Sequence, residues 1–207
     1  LHARVISEMD GATLACIVDA RPEAAKAVAR QRDCVALSDP GEAVELADAA
    51  ILAVPTSAHV RCAEPFIDAG KAVLIEKPIS NDIEQARALI DRARRRGTLI
   101  QVGHTERFNP AVLAIQKYEI QPKFIEAHRI SPFTFRSADV GVVMDMMIHD
   151  IDLVLKLAGG SVRELHAVGI NVIGEHEDIC NARLLFDNGC VANITASRLA
   201  IKTERKM

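Results

Sequence analysis

Four short apolar segments in the first half of the chain constrain its fold more than any other feature. They are residues 13–18, 49–54, 72–75 and 99–102. They hold few polar residues and do not alternate as a half-exposed strand does, and helix-forming stretches follow at residues 22–30, 57–69 and 81–96. Strands that are buried on both faces and joined by helices show this pattern in parallel sheets. The sequence therefore predicts an α/β fold, a doubly wound parallel sheet, over residues 1–108.

The pattern changes after about Pro110. Longer segments of mixed polarity follow at residues 123–130, 162–172, 181–186 and 190–196. The triplet Asp187-Asn188-Gly189 between the last two is a hairpin turn signal. One strongly apolar helix pattern, at residues 142–157, interrupts the strands. We therefore predict a second domain of the α+β class over residues 109–207.

Composition excludes several classes of protein. Of the 207 residues 49% are hydrophobic and 26% charged, which is ordinary for a soluble globular chain. No apolar run approaches the length of a membrane-spanning helix. A formal net charge of -3 and an aromatic content of 3%, without tryptophan, exclude a basic or base-stacking surface for nucleic acid. We expect a cytoplasmic protein that acts on a small molecule.

The cysteines point to neither disulfides nor metal. Five of them are scattered along the chain without a CxxC pair. An odd number at irregular spacing predicts no disulfide framework, and no zinc-ligand spacing is present. We therefore expect no metal site.

Asp19 follows the first apolar segment directly. An acidic residue at the end of such a strand can bond the ribose hydroxyls of a dinucleotide, about 20 residues after a glycine-rich turn. That turn would fall before Leu1, so we expect this chain to be part of a longer protein, cut at both ends. A plain turn aspartate before Pro22 is an equally good reading.

Two further segments lie at predicted strand ends, residues 53–59 (AVPTSAH) and 76–78 (EKP). Ligands of open α/β sheets bind outside the carboxyl ends of the strands. A lysine held there, such as Lys77, can donate to a substrate hydroxyl and favour a developing alkoxide. The alternatives are a strand–helix loop with Ser57 as a cap, and an exposed Lys77 in a loop.

The helix pattern VMDMMIHDIDLVLKL carries three polar groups on one face. Asp145, His149 and Asp152 stand at i, i+4 and i+7 among methionines and isoleucines. Buried aspartate and histidine are costly unless they are paired or used. Histidine can take a proton from an alcohol, and a carboxylate beside it can orient it. A core histidine bonded to Asp145 for structure alone is the competing interpretation, and a metal site is a weaker one.

The stretch GHTERFNP, residues 103–110, lies where the first predicted domain gives way to the second. Asn109 and Pro110 have the pattern of a helix start. His104 and Arg107 are then candidates for a ligand site, since ligands often bind where two domains meet. A hinge with a capping asparagine and solvated charges is the alternative.

In this order and spacing, Asp19, AVPTSAH, EKP, GHTERFNP and the D-x-x-x-H-x-x-D helix resemble the Gfo/Idh/MocA family of NAD(P)-dependent oxidoreductases. The resemblance covers almost all of the chain. It implies a Rossmann domain followed by an α+β domain with a large open, mostly antiparallel sheet, incomplete here. The family often has consecutive glycines before the aspartate of D-x-x-x-H, whereas here only Gly141 remains.

The resemblance also implies roles for individual residues. The matching catalytic residues are Lys77, Asp145 and His149. The positions that match cofactor contacts are Asp19, Val54, Pro55, Thr56, His59, Glu76, Lys77 and Arg107. The positions assigned to substrate are His104, Asp145, His149 and Asp152.

The function implied is hydride transfer between NAD and a secondary alcohol of a sugar, cyclitol or nucleotide sugar. NAD is expected rather than NADP, because Asp19 repels a 2′-phosphate. The sequences GHTERFNP and DMMIHDID resemble those of family members that act on nucleotide sugars such as UDP-N-acetylglucosamine. The resemblance also implies a homo-oligomer formed through the second sheet. Two alternatives remain open: a non-catalytic sensor of NAD and sugar, and a redox-neutral, NAD-dependent glycosidase.

Overall fold

The computed structural model describes residues 1–118, 120–134 and 140–207. The chain divides into two compact units, Leu1–Gly103 and His104–Met207. The domain boundary predicted after residue 108 lies just beyond this division. Residues 104–108 group with the second unit, where Arg107 bonds Asp152.

The first unit is built on five short parallel strands. Strands β1 (Cys16–Val18) and β2 (Val35–Leu37) pair with each other. Strands β3 (Ala49–Leu52), β4 (Ala72–Ile75) and β5 (Ile100–Val102) pair in that order. The sequence predicted four of these strands but not β2, which has only three residues. The α/β architecture with parallel strands is confirmed.

Helices connect these strands and cover them. They are α1 (His2–Ser7), α2 (Pro22–Arg32), α3 (Pro40–Ala43), α4 (His59–Asp68) and α5 (Ile83–Arg96). Asp82 caps α5 by accepting from the Gln85 N–H at 2.8 Å, and Gly97, with φ of 66°, ends it. The core of the unit packs side chains of α4 and α5 against β3 and β4, including Phe66, Ile67, Ile75 and Leu89.

The expectation that Ser57 caps the helix after β3 is wrong. Residues Thr56–Ala58 form a 3₁₀ turn in which the Ala58 N–H donates to the Pro55 carbonyl at 2.8 Å. Helix α4 begins at His59, and its N-cap residue is Ala58, which makes no side-chain capping bond. The turn satisfies local backbone groups without a side-chain cap.

The second unit is a five-stranded mixed sheet with the order β10-β6-β9-β8-β7. The strands are β6 (Phe124–Ile130), β7 (Val162–Ile170), β8 (Ile179–Phe186), β9 (Val191–Ser197) and β10 (Glu204–Lys206). Among the described strand pairs of this second sheet, β6–β9 is parallel and the other three are antiparallel. The predicted turn at residues 187–189 joins β8 to β9, with Gly189 at φ of 82°. The predicted α+β sheet, mostly antiparallel, is confirmed.

One helical segment covers a face of this sheet, and a shorter helix, α6 (Pro110–Gln116), precedes it. The segment opens with a π turn, Val143–Met147, and continues as α7 (Ile148–Ala158). Met147 and Val154 are buried in one core with Phe186 and Ile194 of the sheet. A single α-helix over residues 142–157 was expected, and the π turn alters the spacing between Asp145 and the residues after it.

Three observations on the described part of the chain concern its cysteines, metal sites and membrane spans. All five cysteines fall within it and are free thiols, and burial raises the pKa of each. Residues 1–118, 120–134 and 140–207 contain no group of three or more His, Cys, Asp or Glu placed to hold a metal ion. In the same residues, no helix has both the length and the apolar character needed to cross a membrane.

Candidate active site

Two loops of the first unit lie side by side at the carboxyl ends of β3 and β4, because Leu52 pairs with Ile75. His59 lies between the loops and is only 1% exposed. Its Nδ1 is 2.9 Å from the Pro78 carbonyl oxygen, and its Nε2 is 3.0 Å from the Val54 carbonyl oxygen. Both ring nitrogens of His59 thus lie at hydrogen-bond distance from main-chain carbonyl oxygens. The cofactor contact expected of His59 stays a prediction.

Glu76 and Lys77 follow β4 directly. Glu76 Oε1 is 2.8 Å from His2 Nε2, so the start of the chain contacts the end of β4. Gly103 packs against the same side chain, and a Cβ at that position would lie 2.9 Å from Glu76 Oε2. Lys77 is half-buried, and the Lys77–Pro78 peptide bond is cis. Because it follows β4 directly, the EKP segment lies at the edge where a ligand of such a sheet binds.

Asp19 follows β1 and holds the turn into α2. Its Oδ1 accepts from the Arg21 N–H at 2.8 Å and lies 3.6 Å from Arg21 Nε. Asp19 therefore stabilises the turn before α2, as the alternative interpretation of this residue expected. The side chain is 37% exposed, so the carboxylate is also accessible to a ligand.

The two ends of the D-x-x-x-H-x-x-D motif have different surroundings in the second unit. Asp145 lies in the π turn and His149 in the first turn of α7, and both side chains are half-buried. Asp152 is buried, and both of its oxygens accept from Arg107, at 2.7 Å from Nε and 2.5 Å from Nη2. This bidentate bond raises the pKa of Arg107. Arg107 and Asp152 are thus bonded to each other. The substrate contact expected of Asp152 and the cofactor contact expected of Arg107 stay predictions.

His104 lies close to the same pair. Its Nδ1 is 3.9 Å from Asp152 Oδ2 and, within the described residues, this buried nitrogen has no hydrogen bond. His104, Arg107 and Asp152 are thus brought together, as the motif GHTERFNP and the helix motif suggested separately. The contact of His104 with substrate remains a prediction.

A second buried ion pair lies beside His149 in the sequence and was missed. Asp150 is 4% exposed and accepts from Arg129 Nε at 2.8 Å and from Nη2 at 2.9 Å. Arg129 Nη1 also donates to Glu106 Oε1 at 3.3 Å. Burial opposes the charged form of Glu106, but the Arg129 charge and bond, with a smaller contribution from His149, lower its pKa overall. The signal in the sequence was a third aspartate, Asp150, in the apolar helix pattern, although nothing in the sequence identified Arg129 as its partner.

Comparisons with known proteins agree for both units. The model of an oxidoreductase family with an NAD-binding Rossmann fold, GFO_IDH_MocA, matches residues 1–104. The model of the GFO/IDH/MocA C-terminal domain matches residues 120–207. Both family models thus match in the order in which the two units follow along the chain.

Among curated proteins, the chain is 37% identical over 195 residues to a UDP-N-acetylglucosamine 3-dehydrogenase of Acidithiobacillus ferrooxidans, covering 94% of this chain and 62% of that protein. It is 32% identical to an inositol 2-dehydrogenase of Rhizobium meliloti, covering 97% of this chain and 66% of that protein. A solved structure of the Acidithiobacillus ferrooxidans enzyme superposes with a TM-score of 0.93 at 36% identity, over 99% of this chain and 67% of that one. The chain spans less than two thirds of the length of the two curated relatives.

Proposed function

Because this chain belongs to the Gfo/Idh/MocA family of oxidoreductases, we propose that its protein oxidises a secondary alcohol of a sugar, cyclitol or nucleotide sugar with NAD. The observation that carries the proposal is the 37% identity, over 94% of the chain, to a UDP-N-acetylglucosamine 3-dehydrogenase. The same identity favours a UDP-N-acetylhexosamine as substrate and its 3-hydroxyl as the reacting group. The EKP lysine and the D-x-x-x-H pair are both present in the chain.

The residues that would hold NAD are those at the carboxyl ends of the parallel strands. Asp19 is accessible and negatively charged, which suits the ribose hydroxyls. Val54, Pro55 and Thr56 follow β3, and Glu76 and Lys77 follow β4 beside them. We propose NAD over NADP, because the accessible Asp19 carboxylate repels a 2′-phosphate.

In the proposed reaction the alcohol loses a hydride from carbon and a proton from oxygen, and a ketone is formed. NAD, when bound, supplies the acceptor for the hydride. His149 takes the hydroxyl proton, and Asp145, one helical turn before it, orients the imidazole and stabilises its charge. Lys77 donates a hydrogen bond to the same oxygen and stabilises the alkoxide that develops as the proton leaves.

The assembly of the protein is part of the same proposal. Strand β7 is an edge strand of the second sheet, and all nine of its residues are exposed. Leu165, Val168 and Ile170 are each more than half exposed. An edge strand with this apolar content favours association, so we propose a homo-oligomer formed through the second sheet.

The test is turnover of the intact protein with a panel of UDP-N-acetylglucosamine, other UDP-sugars, free sugars and inositols. NADH absorbance reports oxidation, and we expect it to rise fastest with UDP-N-acetylglucosamine. Parallel titrations with NAD and NADP should show tighter binding of NAD. A folded, NAD-bound protein that reduces no NAD with any compound contradicts the enzyme and favours the sensor. A reducing sugar released without accumulation of NADH identifies the redox-neutral glycosidase.

A further inference from the structure

The start of the helical segment that carries Asp145 and His149 is bonded to Glu177, which lies just before β8. The Val142 N–H donates to the Glu177 carbonyl oxygen at 2.9 Å, and the Val143 N–H donates to Glu177 Oε1 at 3.2 Å. The first N–H groups of a helix lack partners within the helix, and a carboxylate there is favoured by the helix dipole. One residue, Glu177, therefore supplies two acceptors to this helix start.

Glu177 is itself held by its neighbour. Asp178 is 0% exposed, and its Oδ2 accepts from the N–H groups of Val172 and Ile173, both at 2.7 Å. Its Oδ1 accepts from Arg198 Nε at 2.6 Å. The two backbone bonds, followed by the bond from Arg198, hold the pKa of Asp178 well below its usual range. The main chain at Glu177 is thus anchored to a fully buried, ionised group.

Arg198 connects this anchor to the segment before the helix. Its Nη1 donates to the Val140 carbonyl oxygen at 2.8 Å, while its Nε bonds Asp178. The guanidinium also lies 5.5 Å from the ring centroid of Phe133. Gly141 is therefore held on both sides: Val140 before it bonds Arg198, and Val142 after it bonds Glu177.

Gly141 is the residue that lets the Glu177 carboxylate reach the helix. A Cβ at position 141 would collide with Oε1 and Cδ of Glu177, far inside van der Waals contact. A carboxylate at the end of a flexible side chain can swing away from such a collision. It would then no longer accept from the Val143 N–H. This close approach accounts for the glycine at position 141 in a helix start that otherwise carries valines.

We propose that Glu177 is a positioning residue: by holding Val142 and Val143, its carboxylate and carbonyl set the place of Asp145 and His149. The inference rests on the proposed function, in which those two residues handle the substrate proton. The Asp145 N–H donates to the Gly141 carbonyl oxygen at 3.1 Å, so a shift of the helix start moves Asp145 directly. The π turn Val143–Met147 leads directly into the first turn of α7, so the same shift also moves His149.

The first experiment compares Glu177→Ala with Glu177→Gln and with a control, Asp187→Ala. The control removes a different carboxylate, that of Asp187, which accepts from the Ser161 N–H at 3.0 Å. Ser161 lies just beyond the end of α7. A misplacement of about 1 Å costs roughly 10²-fold in rate. We expect Glu177→Ala to lower kcat by about that factor with NAD affinity and melting temperature near those of the control. The glutamine oxygen still accepts from Val143, so Glu177→Gln should keep most of the rate.

A second experiment uses the collision at position 141. Gly141→Ala should lower kcat as Glu177→Ala does, because it displaces the same carboxylate, and Gly141→Ala in the Glu177→Ala background should cost nothing further. Losses that multiply in the double variant, or a folded Glu177→Ala protein with the kcat of the parent, overturn the positioning role. The proposed function fails separately, when the folded, NAD-bound parent reduces no NAD with any compound of the panel. Amide hydrogen exchange at Val143 checks the bond without turnover and should quicken in Glu177→Ala.

Discussion

His149 lies at the start of α7, and its proposed role as the base can be isolated by one substitution. His149→Asn keeps the approximate shape and a polar group but removes the group that accepts the proton. General acid–base groups contribute about 10² to 10⁴-fold in rate, so kcat should fall within that range while NAD affinity stays nearly constant. Steady-state kinetics and calorimetric titration with NAD measure the two quantities. Unchanged kcat in a folded His149→Asn protein removes His149 from the mechanism.

Replacing Lys77 should change the kinetics differently from replacing His149, because the Lys77 charge stabilises the substrate oxygen as its proton leaves. Lys77→Met preserves the length and apolar stem of the side chain but removes its donors. Donors that stabilise a developing oxyanion are typically worth about 10² to 10³-fold, and they act more strongly in the transition state than in the ground state. We expect kcat and kcat/KM to fall together, with NAD still bound. Equal turnover of parent and Lys77→Met leaves the enzyme intact but excludes this lysine from the chemistry.

At the scale of elements, the buried charges of the second unit tie one strand or helix to another. Asp150 of α7 bonds Arg129 of β6, and Asp178 before β8 bonds Arg198 after β9. Removing one partner of a buried pair leaves the other charge without compensation, which is strongly destabilising. The two pairs therefore connect α7 to β6, and the residues before β8 to those after β9.

The Asp178 pair gives the second unit a pH dependence whose sign follows from the lowered pKa of that carboxyl. A depressed pKa contributes stability above the unfolded-state value, about 3.9 for aspartate, and loses it as the pH falls from there towards the folded-state pKa. Asp178→Asn should therefore be much less stable than the parent near neutrality. The difference should narrow below about pH 4. Urea unfolding over a pH series measures it, and a constant difference at all pH values contradicts the assignment.

At the scale of the whole molecule, the exposed edge strand β7 makes a prediction about assembly. Leu165, 61% exposed, should lie in the contact between copies if the second sheet forms the oligomer. Leu165→Lys introduces a charge that is costly to bury there, so the mass from light scattering should decrease. Lys202→Glu, outside β7, is a charge-changing control that should keep the parent's mass. A parent that is monomeric at all concentrations contradicts the proposed oligomer.

Local pattern was enough to predict most of the elements. Apolar runs marked four strands of the first unit, and the turn at residues 187–189 marked the β8–β9 hairpin, because period and turn chemistry depend on neighbouring residues. The positions of Asp19 and Lys77 at strand ends follow from the same local signals. His149 was predicted inside one continuous helix, and it lies instead in the first turn of α7, because a π turn precedes that helix. Short elements such as β2 were missed, since three residues carry too little pattern to stand out.

What only the tertiary structure decided is the partner of each buried polar group. His59 faces two carbonyl oxygens from neighbouring loops, and Asp150 meets an arginine on a different strand. Glu177 reaches the helix start only because Gly141 leaves space for its carboxylate. The sequence showed that buried charges needed partners, since an unpaired charge is costly away from water. Which partner each one meets depends on sheet order and register, and these bring together residues that lie far apart along the chain.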